Sequence, residues 1–166
     1  MWALALACGT GLTHADDISD ATALMQQGQH AQALEQVATA LAQRPNDPRL
    51  LFLKGLIFRQ QNRIDDAVAE FTALTQAHPE LPEPYNNLAV LHASQGQLDK
   101  ARDALESALR AHPQYATAQE NLGDVYVMLA SQAYARARQI ETGNAALASK
   151  QSALSTVLKA SPGLNR

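Results

Sequence analysis

Three prolines set the frame of this chain: Pro45, Pro79 and Pro113 stand 34 residues apart. The same step of 34 links Ala33, Ala67 and Ala101, and it links Gly28, Asn62 and Gly96. It also links Val37, Phe71 and Leu105, and Ala40, Leu74 and Ala108. Upstream in each unit it relates Leu24, Phe58, His92 and Tyr126, then Gly55, Ala89 and Gly123. A period of this length is the signature of a stacked repeat, in which one unit cannot bury its own apolar face.

Each column has a physical role. Within a unit, Leu98, Ala101, Leu105, Ala108 and Leu109 step by three and four, the spacing of one helical face. The Gly28/Asn62/Gly96 column falls between two such runs, where the chain must turn; glycine and asparagine tolerate the left-handed backbone that ends a helix. The Ala33/Ala67/Ala101 column is small because two helices cross there. The proline column ends the second helix of each pair. Asp47 before Pro48 reads as a helix cap, and Asp65, Asp66 and Asp99 sit where carboxylates favour a helix start.

This pattern resembles the tetratricopeptide repeat, a pair of antiparallel helices every 34 residues. The best match is Pro84-Tyr85-Asn86-Asn87-Leu88-Ala89, followed by Gly96, Ala101, Leu105, Ala108 and Pro113; Asn121-Leu122-Gly123-Asp124-Val125-Tyr126 is next. The resemblance implies an all-α, right-handed superhelical solenoid. It would hold about three full repeats (14–47, 48–81, 82–115), a truncated fourth (116–143) and a capping helix (145–159), making one domain over 16–159 with a disordered tail at 160–166. Against the family pattern, Asp17 and Asp20 replace the usual Trp and Leu, as suits a terminal repeat facing water. Lys54 replaces a leucine. The fourth unit breaks register: Tyr126 to Tyr134 is eight residues where thirteen are needed. Residues 117–141 therefore form either one long helix or two with a tight bend near Leu129-Ala130-Ser131.

The first fifteen residues differ from the rest. Met1–Ala15 holds no Asp, Glu, Lys or Arg, and Thr13 and Ala15 fit the small-residue positions of a signal-peptidase site. No positive charge precedes the apolar run. A signal peptide over 1–15, with a periplasmic or secreted mature chain, is the expectation. Cys8, the only cysteine, lies in this segment, which excludes a disulfide in the mature chain. A lipid anchor at Cys8 would want a leucine where Ala5 stands. No stretch reaches the ~18 apolar residues of a spanning helix.

Chemistry is sparse. The chain has no HExxH, GxSxG or Walker-type loop, and the mature part has no cysteine nucleophile. No enzyme activity and no cofactor are expected. His78 and His112 recur because the loop before the proline recurs; one repeat apart, they are too distant to share a metal with bonds near ~2 Å. His92 reads as a packed core residue. With net charge −3 and no basic stripe, nucleic acid is a poor partner.

The resemblance does imply a binding face, the concave side of stacked helix pairs. In this family an asparagine at the positions of Asn87 and Asn121 often points into that groove, where its amide can pair with a ligand's peptide group. Asn86, Glu120, Asp124, Arg59 and Val90 would lie nearby, with Arg49 and Gln60. Glu83 and Thr117 stand where a carboxylate-binding member would be basic, so a basic or neutral partner is favoured over an acidic peptide. The expected function is a scaffold or adaptor of the bacterial cell envelope that docks a peptide or protein segment. Leu81–Ala89, Tyr115–Ala118 and Glu120–Asp124 resemble exported tetratricopeptide proteins of Gram-negative bacteria. The alternatives are a self-assembling structural subunit, associating through Leu147 to Leu158, and an accessory subunit of an envelope enzyme or secretion complex.

Overall fold

The computed structural model describes residues 14–160 and Leu164. The expected signal segment lies outside them, except that His14 and Ala15 begin the first helix. Eight helices follow one another among the described residues: α1 (His14–Gln26), α2 (His30–Gln43), α3 (Pro48–Gln60), α4 (Ile64–Ala77), α5 (Pro82–Ser94), α6 (Leu98–Ala111), α7 (Ala116–Ile140) and α8 (Ala145–Ala160). They fall into two compact units, one reaching to Arg63 and one starting at Ile64.

The turn column does what its residues allow. Gly28, Asn62 and Gly96 all have positive φ, at 75°, 57° and 73°. In each turn the amide three residues past the helix end reaches back to the same register position. Gln29 N–H donates to Leu24 O, Arg63 N–H to Phe58 O and Gln97 N–H to His92 O, each at 2.9 Å. These bonds satisfy carbonyls that the helix end would otherwise leave bare.

In the first unit, Ala21, Met25, Ala33, Val37, Ala40, Leu50, Leu53 and Ile57 form the core. Asp17 has a definite partner there. Arg44 Nη2 lies 2.6 Å from its carboxylate, while Arg44 Nη1 lies 3.1 Å from Asp47. Asp47 in turn caps α3 by accepting from the Arg49 amide at 3.0 Å. One arginine thus ties the start of α1 to the start of α3. Lys54, the departure from leucine, places its ammonium 5.7 Å from the Phe58 ring centre, and Arg63 stacks on that ring at 4.3 Å. The two cations supply the aromatic face with partners that a leucine would not.

In the second unit, Ala89, Ala101, Leu105, Ala108, Ala118 and Val125 form the core, where α5, α6 and α7 meet. Four of these six are alanines, and all six are fully buried. That small size permits close helix crossings. The register break resolves as one continuous helix of 25 residues, α7. The reason is legible at Ala130. It stands one period after Gly96, and alanine is the best helix former where the earlier units carry glycine or asparagine. The chain turns only at 141–144, where Asn144 Oδ1 accepts from the Ala146 amide at 3.1 Å. α8 then folds back on α7, with Lys150 set 5.3 Å from the Tyr134 ring centre and Arg138 donating to Gln151.

Candidate functional site: the face shared by α5 and α7

In the second unit α5 and α7 lie side by side, and their shared face carries most of the residues expected to bind. The structure brings Asn86 and Asn121 together. Asn121 Nδ2 donates to Asn86 Oδ1 at 2.8 Å, and both side chains are fully buried. Asn87, 3% exposed, turns back on its own helix and donates to the Glu83 carbonyl at 2.9 Å. Asp124 is also buried. Amides this deep are costly unless hydrogen-bonded. The Asn86–Asn121 bond meets that demand and joins α5 to α7 side chain to side chain. These amides therefore build the wall of the face instead of reaching out of it.

What the face offers to solvent is different. Glu83 and Glu120 are exposed, and Val90 is half-buried. Arg59, with Arg49 and Gln60, belongs to α3 in the first unit; burial pushes the Arg59 guanidinium below its ordinary pKa. Near the N-terminal ends of the two helices, Tyr115 is raised above its usual pKa, by burial first and by the Glu83 charge second. Toward the C-terminal end of α5 the face becomes apolar. Val90, Ala93, Ser94, Met128 and Leu164 line a cleft there of about 240 Å³. Of these, only Val90 stands among the residues singled out from the sequence. Met128 was within reach of the same reasoning, since it lies one period after Ser94.

The histidines take structural places. His92 is half-buried at the end of α5, with Nδ1 3.1 Å from Gln97 Oε1, and burial holds its pKa below the ordinary value of 6.5. His78 lies 3.4 Å from Glu80 in the loop after α4, and His112 meets Tyr115 edge-on. On α8, the surface considered for self-association, Leu147, Leu154 and Leu158 are half-buried and Val157 is 48% exposed. No helix among the described residues is long and apolar enough to cross a membrane.

Known proteins share this architecture. Two family models, both described as tetratricopeptide repeat, match residues 20–82 and 58–122, together more than half of the chain. Among curated relatives, the mouse protein O-mannosyl-transferase TMTC1 is 33% identical over 101 residues, 58% of this chain. Human tetratricopeptide repeat protein 16 is 30% identical over 130 residues, 71% of this chain. The chain spans only 11% and 15% of the length of those two relatives. Among solved structures, a tetratricopeptide repeat protein from Parabacteroides merdae superimposes with a TM-score of 0.62 at 20% identity, covering 84% of this chain and 58% of that one. The Sgt2 tetratricopeptide domain of Aspergillus fumigatus gives 0.64 at 15% identity, over 69% and 78% of the two chains. YrrB, a repeat protein described as having an unusual peptide-binding site, gives 0.58 at 24% identity, over 66% and 57%. With its period, its repeated positive-φ turns and these matches, the chain belongs to the tetratricopeptide repeat family, whose domains bind protein or peptide partners.

Proposed function

We propose that this chain is a non-catalytic adaptor of the bacterial cell envelope, and that it docks a protein segment on the face shared by α5 and α7. The observation that carries this reading is the construction of that face. A buried amide pair fixes its two helices, an acidic rim of Glu83 and Glu120 stands at one end, and an apolar cleft opens at the other. A rigid floor lowers the ordering cost of binding. The rim favours a segment that is basic or neutral. The peptide-binding description of YrrB is compatible with such a use of the fold. Export rests on the uncharged, apolar opening of residues 1–15.

The test must avoid the buried asparagines. Their loss costs about 1–3 kcal/mol of stability for a broken buried hydrogen bond, which would mask any effect on binding. A photo-crosslinker at Val90 should capture a partner in the native envelope, while one at exposed Asp103 on α6 should not. Glu120→Lys should weaken the Val90 capture severalfold and flatten its dependence on salt. Equal capture at both positions, or none at Val90, would sink the proposal.

A further inference from the structure

One wall of the apolar cleft between α5 and α7 comes from beyond α8. Leu164, the one described residue beyond α8, packs against the core of the second unit and helps line the cleft with Val90, Ala93, Ser94 and Met128. None of these lining residues is charged. Ala93 and Leu164 both rest on the cluster that contains Ala89 and Val125, so the cleft is continuous with fully buried apolar atoms. Met128 adds an unbranched, polarizable side chain that adapts to the shape of what it meets. The route is short: α8 folds back along α7 and ends at Ala160, four residues before Leu164.

We propose that this cleft anchors a leucine-type side chain of the docked segment, and that Leu164 is the resident occupant which such a segment displaces. The inference rests on the binding face proposed above and adds what the ligand presents and what it competes with. A tethered occupant acts at an effective concentration in the millimolar range. It would therefore hold off weak apolar ligands and yield to tight ones. The acidic rim then selects on charge, while the cleft selects on a single apolar side chain.

Methyl NMR on the full chain tests this directly. Magnetisation transfer is expected between Leu164 and the methyls of Val90 and Met128. A peptide of residues 159–166, used at millimolar concentration, should shift those methyls in the full-length Leu164→Asp variant. It should do so at about one-tenth of the concentration needed with the unaltered chain. Adding Met128→Asp to that variant should abolish the response while the helical circular dichroism is retained. The proposal is overturned if Leu164 shows no transfer to Val90 or Met128, if both chains respond alike, or if the Leu164→Asp variant does not respond. Loss of these contacts with the Val90 crosslink intact tells against Leu164 alone. Loss of the crosslink with the contacts intact tells against the binding face.

Discussion

The regular pair α5–α6 and the long helix α7 with α8 belong to the same unit and begin from the same repeat pattern, yet they hold together differently. In α5–α6 a left-handed residue reverses the chain, and the pair closes on fully buried side chains: Ala89, Ala101, Leu105 and Ala108. In α7 no reversal occurs, and the column that is buried at Gly55 and Ala89 opens outward. Gly123 is exposed, and a Cβ added there would meet nothing within 4 Å. Tyr126 is 49% exposed, and α8 buries no residue. The comparison teaches that the repeat sequence supplies the apolar column, whereas the turn decides whether that column is covered.

The sharpest way to break this contrast is to cut into both cores. Leu105→Ala should cost about 2–5 kcal/mol, the range for a fully buried leucine that leaves a cavity. Leu158→Ala in half-buried α8 should cost about 1 kcal/mol or less. Denaturant midpoints for the two variants should differ clearly; equal losses would mean that α8 is as firmly packed as the regular pair.

Glycines give the next test, because the same substitution should change sign between the regions. Gly96→Ala forces a side chain onto a φ of +73° and should destabilise by about 1–2 kcal/mol. Gly123→Ala lies inside a helix with open space around it and should stabilise by about 0.5–1 kcal/mol. Thermal midpoints moving in opposite directions would bear this out. A loss at Gly123 would mean that the open face needs a position without a side chain.

Most of the fold was legible because a period of 34 residues repeats the same physical demands, and each column states one of them. The candidate face was only half legible. Family resemblance directed attention to Asn87 and Asn121 as outward amides, but an amide at close helix spacing can bond across to its neighbour, and a single sequence does not say which. Asn86 and Asn121 are 35 residues apart, one more than the period, so no column pairs them. The choice between one helix and two in the fourth unit was legible in principle, since Ala130 stands in the turn column. Leu164 was not, because it lies beyond any repeat.

The smallest effect expected concerns pH. His92 occupies the position that Leu24 and Phe58 fill in earlier units, and burial lowers its pKa from 6.5 in the folded chain. The unfolded chain then binds the proton more readily. The stability contributed by the neutral ring is complete above pH 6.5 and is lost progressively as pH falls toward the lower folded value. His92→Leu should remove this part of the pH dependence. An unchanged slope of melting temperature between about pH 7 and about pH 5 would assign it to other groups.

The continuous backbone at Ala130 also bears on how such arrays change in number. Repeat proteins lengthen by copying a unit, and a copy can stack only if it starts in phase with the one before. A helix that runs through its turning point throws the chain just after it out of the frame set by Pro45, Pro79 and Pro113, and α8 falls outside that frame. A residue that declines a positive φ thereby breaks the phase that three earlier turns had kept.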